Sequence, residues 1–433
     1  MASVGNRTSL LRPGPHFSSS LAPSAVLVAI ALVGVACAAP QRWAVREKPT
    51  TAEAGLLLEK VDPTTIRRDY TYTELPAIPV RERLRPCCAF GSDIRATLAG
   101  MTIPGYLIPN IIGVEDIGPH SYDSGYVHLP SADAPQLTVN RENNGLIYTC
   151  RGGFIDTAHV RDYIDWSVHV GVQLARGLLA EERVEFALPD EGGSRRIILA
   201  SVDPELVQRL GPRRLTIWLA EWITWKMSVW HEIATWYGFH SVPGFSEEAS
   251  AFSPEDLYSN AIGVRLLPAI VYHHAERSES DFNGSVDQWL PQVIEFLGPV
   301  PREVGIAAAE AVDKLWWDSD ARVPEKALVL RRAMDFERTV TPWLVPPSRM
   351  PAALREACGD APQPHTLYAP DRYAGITFGD LVTLEIEVDD KIAKQFPFTK
   401  IGRTVTQSDF PTIVEAIREQ NRSEFGDDAD RPD

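Results

Sequence analysis

The sequence predicts an α+β fold, mostly helical, with a buried tryptophan-rich helix at its centre and a small antiparallel sheet. Three observations predict it. The run WLAEWITWKMSVWHEIATWYGFH, in a helix expected over 213–239, carries five of the chain's eleven tryptophans: Trp218, Trp222, Trp225, Trp230 and Trp236. A second helical run, DTAHVRDYIDWSVHVGVQLARGLLAEE, opens at Asp156, which can cap it. Between the two, residues 183–201 alternate around Gly192-Gly193 and read as a β-hairpin.

Residues 1–37 read as a signal peptide. Arg7 and Arg12 precede the apolar run AVLVAIALVGVA, which is short for a bilayer span. The run ends at Cys37-Ala38-Ala39-Pro40, similar to the lipobox of bacterial lipoproteins, whose cysteine carries lipid. Gly34 stands where that family prefers Leu, so ordinary cleavage after Ala38 or Ala39 stays open. Either route exports the protein to the periplasm or outer membrane. Lipid on Cys37 would make the cell-envelope membrane its partner. Residues 38–80 read as a flexible tether, 81–420 as a single main globular domain, and 421–433 as a disordered acidic tail.

Export changes how the remaining cysteines read. Cys87, Cys88, Cys150 and Cys358 are an even set in an oxidising compartment, which predicts disulfides with three pairings open. Adjacent cysteines close a strained ring, so Cys87 and Cys88 are expected to reach Cys150 and Cys358.

Along the domain, a strand is expected over 146–150. A helix opens with Ser253 at its cap and Pro254 at its first position, runs to about 276 and kinks at Pro268. Further helices are expected over 286–296, 300–316 and 325–340, a strand over 381–390, and a short helix over 410–420. The net charge of −16 argues against nucleic acid or an anionic surface as the main partner. The nucleophile elbow of serine hydrolases, the Walker loop and the dinucleotide fingerprint are all missing from the sequence.

The candidate chemistry lies on the tryptophan-rich helix. At 100° per residue Glu221, Thr224, Ser228, His231, Glu232 and Thr235 share one sector. Short hydroxyls, one His and two Glu suit the lining of an internal cleft. The plainer reading is one narrow wet face. His231-Glu232 begins like the zinc-peptidase motif H-E-x-x-H, with Thr235 where the second His belongs. Completing three protein ligands then needs His159, Asp162 or Asp256. The expected catalytic set is Glu232, His231 and Thr235; the expected ligands are His231, His159, Asp162 and Asp256, for zinc or another divalent metal. Helix, hairpin, His-Glu helix and acidic helix come in an order that resembles zincin metallopeptidases, which implies a zincin-like core. His120 and His128 flank a loop that could face a cleft; adjacent His273 and His274 read as surface.

Four runs, RPCCAFG (85–91), GGFIDTAHVRDYIDW (152–166), WHEIATWYGF (230–239) and SAFSPEDLYSNAIG (250–263), together resemble an uncharacterised family of exported bacterial proteins catalogued as a domain of unknown function. That resemblance implies export and a shared fold. Two functions compete: a metal-dependent hydrolase using His231 and Glu232 on a cell-envelope substrate, and a non-catalytic envelope binding or scaffold lipoprotein whose polar stripe is structural.

Overall fold

The chain's computed structural model describes residues 48–59, 81, 84–85, 89–92, 94–98, 101–107, 110–124, 127–128, 138–139, 141–240, 247–272, 278–322 and 326–433. Cys37, Cys87, Cys88, His273 and His274 lie outside the described residues, and with Cys37 the lipid expectation. The described residues fall in one unit that runs from Lys48 to Asp433.

The twelve helices found among the described residues are α1 (Thr51–Glu59), α2 (Thr157–Ala180), α3 (Pro204–Leu210), α4 (Pro212–Trp236), α5 (Asp256–Arg265), α6 (Leu267–Tyr272), α7 (Glu279–Leu297), α8 (Arg302–Ala311), α9 (Ala352–Cys358), α10 (Asp390–Ala393), α11 (Phe398–Ile401) and α12 (Phe410–Phe425). The strands that position the site are β1 (Leu146–Thr149), β2 (Gly153–Asp156), β3 (Val184–Leu188), β4 (Gly193–Leu199), β5 (Val382–Val388) and β6 (Thr404–Thr406). The fold is α+β, as the sequence predicts. Hairpin β3–β4 is extended by β5 and β6 into an antiparallel sheet of order β6–β5–β4–β3. Strand β5 pairs with β4 from Val382 opposite Leu199 to Val388 opposite Gly193. Alternation turns Val382, Leu384, Ile386 and Val388 into the core and leaves Glu385 to pair with Arg196 on the outer face.

Helix α4 lies between that sheet and helices α2 and α5. Its tryptophans fill the space: Trp218, Trp222, Trp225 and Trp230 are buried, and the Trp230 indole N–H donates to the Glu191 carbonyl while its ring stacks on Phe410. Helices α2 and α5 approach closely because of Gly263. A Cβ there would sit 2.3 Å from the Val160 carbonyl oxygen, so any larger residue would push α5 off α2.

Several expectations need correction. The segment 51–59, read as tether, is helix α1, with Ala54, Leu57 and Leu58 buried and Gly55 tight against Phe296. The final residues, read as a disordered acidic tail, are tied down: Trp316 and Arg332 donate to the carbonyls of Pro432 and Ala429, and Asp430 pairs with Arg422. Arg418 also pairs with Asp430, at 3.3 Å. The helix expected over 253–276 breaks at Leu266, ahead of Pro268, and begins at Asp256 with Glu255 as its cap. Of the helix expected over 325–340, the described residues 326–340 are not helical; they hold the short strands Ala327–Val329 and Thr339–Val340. Its apolar residues fill gaps between other elements, so their spacing carried no helical meaning.

The disulfide is also corrected. Cys150 bonds to Cys358, joining the β1–β2 turn to the end of α9 across 208 residues. Neither partner is the Cys87-Cys88 pair. Proximity in the chain gave no guide, because a bridge is set by which chain ends the fold brings together.

Candidate metal centre

Hairpin β1–β2 turns at 150–152 and delivers Asp156 to the start of α2. The Asp156 carboxylate caps that helix, accepting from Ala158 N–H at 2.7 Å and His159 N–H at 3.4 Å. The cap fixes the first turn and with it His159. On α4 the polar stripe is internal: Thr224, Ser228, His231, Glu232 and Thr235 are all buried. The wet-face reading is thereby excluded. The acidic start of α5 faces both helices.

Three side chains converge there. His159, Glu232 and Asp256 each offer one ligand atom, and these atoms all lie within 4.8 Å of one another. All three residues are 4% exposed or less. His159 Nδ1 lies 2.8 Å from Asn260 Oδ1, one turn along α5 from Asp256. An Nδ1–H donated to that oxygen turns the Nε2 lone pair toward Asp256 Oδ1, 3.7 Å away, with Asp156 Oδ2 at 4.0 Å. Such a second partner is what orients a metal-binding imidazole. Glu232 Oε2 accepts the Phe252 N–H at 2.8 Å, while Glu232 Oε1 is buried with no hydrogen-bond partner among the described residues. Phe252 holds φ at +56°, unusual for a bulky side chain, and that strain aims its N–H at Glu232. Asp256 Oδ2 accepts from Ser253 N–H at 2.8 Å.

The electrostatics are acidic. Burial pushes the Glu255 carboxyl up to about 8, with Asp156 adding and His159 opposing, so Glu255 is mainly neutral at pH 7. The Arg332 guanidinium is within electrostatic reach of Glu232 and Asp256 but hydrogen-bonds to the carbonyls of Ala251 and Val329. A dication would suit two buried carboxylates and one imidazole, since each ligand type is a common partner of zinc and similar ions.

His231 sits beside this trio, its ring 6.0 Å from that of His159 and perpendicular to it. Its Nδ1 is hydrogen-bonded to Glu191, and Glu191 is paired with Arg195. Burial disfavours the Glu191 carboxylate, yet Arg195 and His231 outweigh it and hold that carboxyl below its usual range. Glu191 is presented by the β3–β4 turn, where a Cβ on Gly193 would lie 2.3 Å from the Glu387 carbonyl. The arrangement differs from H-E-x-x-H: the Glu is in the group that could hold a metal ion and the His stands next to it. Thr235 Oγ1 is buried with no hydrogen-bond partner among the described residues and is not in the trio.

Asp162 is placed elsewhere. One turn beyond His159, it binds the Arg81 and Arg85 guanidiniums and the Arg85 N–H. Asp165, Glu142 and His120 complete this buried cluster, with His120 Nε2 2.9 Å from Asp165 Oδ1. These arginines occupy Asp162 and take it from the ligand set. Asn260 is legible in the sequence from its i+4 spacing to Asp256 on one helical face; Glu191 and Arg195 carry no such signal and were missed.

Outside this geometry, comparison adds one result. A family match covers residues 75–346. The chain belongs to the family described as protein of unknown function (DUF4056). His159, Glu232, Asp256 and Asn260 all lie in the matched segment, as do His231 and Glu191. No curated protein and no solved structure matches the chain. Membership of DUF4056 therefore brings no activity with it, and the chemistry rests on the residues.

Proposed function

We propose that the protein is a metal-dependent hydrolase whose divalent cation is held by His159, Glu232 and Asp256. The observation that carries the reading is the convergence of three buried ligand atoms from three helices within 4.8 Å, one of the groups with an orphaned oxygen. A buried carboxylate oxygen with no partner is costly in a finished fold, and a cation removes that cost. A cation there would polarise a substrate carbonyl or phosphoryl group. His231 is placed to exchange a proton with water. Because Nδ1 is committed to Glu191, that exchange goes through Nε2, and Glu191 with Arg195 fixes the ring.

Metal content tests this. Protein dialysed against zinc or manganese and then desalted should retain about one ion per chain. His159→Ala, Glu232→Gln and Asp256→Asn should lose it, whereas His231→Ala should keep it. Metal-free wild type ends the reading. Loss in His231→Ala with retention in Glu232→Gln would restore the H-E-x-x-H assignment instead.

Export is the second part of the proposal. Its support is the apolar segment ending at Cys37, together with a disulfide between Cys150 and Cys358, which an oxidising compartment favours. Among the described residues no helix is long and apolar enough to cross a membrane. Labelling with a palmitate analogue should mark wild type and not Cys37→Ala. Unlabelled wild type in the exported fraction would remove the anchor and leave ordinary cleavage.

A further inference from the structure

The turn that holds Glu232 is itself held from behind. Phe252 is fully buried and keeps φ at +56°, a conformation that a bulky residue retains only where its surroundings impose it. Two hydrogen bonds that impose it come from one short stretch of chain outside any helix or strand. Ala333 N–H donates to the Phe252 carbonyl at 2.9 Å, and the Arg332 guanidinium donates to the carbonyl of Ala251. That guanidinium also lies 4.9 Å from the Trp236 ring, one turn beyond Glu232 at the end of α4. Arg332 is buried, so it has no solvent to compensate a lost partner.

What fixes the 332–333 stretch is the segment that follows α12. The helix ends at Gly426, whose φ of +100° turns the chain back on itself. Ala429 is thereby buried, and its carbonyl accepts both the Arg332 N–H at 2.8 Å and Asn421 Nδ2 at 3.1 Å. Two further contacts seat the segment. The Trp316 indole donates to the Pro432 carbonyl at 2.7 Å, and Asp430 pairs with Arg422 and Arg418. Trp316 closes the frame, since its own carbonyl accepts the Leu330 N–H at 2.7 Å.

These contacts form one connected path from Ala429 through Arg332 to the Ala251–Phe252 turn and the Glu232 carboxylate. The turn is an element with two arrangements. Clamped, it points the Phe252 N–H at Glu232; released, it relaxes out of the left-handed region and the N–H leaves. A ligating carboxylate depends on such a partner for its orientation. We infer that residues 426–432 are a strap that positions Glu232 through Arg332 and the Phe252 turn, so that seating of the strap sets the affinity of the centre for its cation. The inference rests on the metal reading of His159, Glu232 and Asp256. By linkage, a bound cation must tighten the strap to the same degree.

Hydrogen exchange of the full chain, freed of metal by chelation, reads the strap apart from the cation. Ala429→Glu puts a charge where Ala429 is buried and should unseat the segment. Asp430→Asn loosens it at its edge without touching the core, and serves if the first variant does not fold. Exchange of the Phe252 amide should quicken about tenfold, a usual size for coupled sites, while Ile197 in β4 keeps its wild-type rate. Zinc affinity should fall by about the same factor. Zinc added to wild type should slow exchange of the Arg332 amide, and should not in His159→Ala. Unchanged Phe252 exchange, or quickening shared equally by Ile197, would overturn the strap whatever the metal does. Quickened Phe252 exchange with unaltered zinc affinity would overturn its coupling to the centre. Wild type that binds no zinc would remove the metal reading, and the coupling with it.

Discussion

Arg85→Met will destabilise the protein by about 3–5 kcal/mol at pH 7, and by much less at pH 3. Arg85 is fully buried and serves three carboxylates. Its Nε and Nη2 grip Glu142, and its Nη1 lies 2.8 Å from both Asp162 and Asp165. Methionine keeps the volume and removes the charge, so the cost reports stranded carboxylates rather than a cavity. Arg81 remains for Asp162 and Asp165, and Arg161 is 3.8 Å from Glu142, which caps the expected loss. The pH dependence follows from sign. Burial opposes ionisation of Glu142, but Arg85 and Arg161 prevail and lower its carboxyl from 4.5 to about 2. Asp165 is likewise depressed below its usual range, by Arg85 and His120 against burial. A carboxyl depressed in the folded state stabilises above its unfolded pKa, and that contribution is lost as pH falls toward the folded one. Wild type therefore loses stability between about pH 4.5 and 2. In the variant these carboxyls titrate closer to their unfolded values, so the two proteins converge on acidification. Urea denaturation at pH 7 and pH 3 measures it. A deficit under about 1 kcal/mol at pH 7, or one unchanged at pH 3, would show that the cluster is not sustained by Arg85.

How much of this was legible in the sequence differs by element. The tryptophan-rich helix was, because its apolar residues are large and its polar ones fall in one sector; the structure buries that stripe as an internal lining. The α2 cap was legible too, since Asp156 is a strong acceptor directly before a periodic run. The hairpin over 183–201 could be read, but not that β5, nearly two hundred residues later, completes its sheet. Such pairing is set by tertiary packing, which local patterns do not encode. The candidate trio was half legible. His159 was a candidate from its three-residue spacing to Asp162, and Asp256 from the acidic start of its helix. The familiar H-E pair, however, pointed to His231 as ligand or general base and to Glu232 as the group that activates water or orients His231, so Glu232 was not among the expected ligands. Which of two adjacent side chains faces the neighbouring helices depends on the rotation of α4 about its axis, which the Trp230–Glu191 contact helps to fix. Asp162 was misplaced for the reverse reason: its arginine partners lie some eighty residues earlier in a stretch without periodic signal.

Glu232→Gln will separate a metal ligand from a structural residue by giving melting curves that cross. In protein stripped by chelation, the carboxylates of Glu232 and Asp256 share a buried space with His159. Removing one negative charge relieves their repulsion, and Gln keeps an oxygen for the Phe252 N–H. Stripped variant should therefore be as stable as stripped wild type or more so, by about 1–3 kcal/mol. Metal reverses the order. A cation that binds only the folded state adds RT ln(1 + [M]/Kd), about 2.7 kcal/mol at a hundredfold excess over Kd, to wild type. The variant, with a neutral amide in the ligand group, should gain little. Calorimetry with and without zinc gives both comparisons in one experiment. If Glu232 is there only to satisfy Phe252, the substitution weakens a charge-assisted hydrogen bond and lowers stability by about 1 kcal/mol, equally with and without zinc. That outcome would withdraw the metal centre, because a carboxylate kept at a strained backbone turn purely for structure has no reason to respond to a cation.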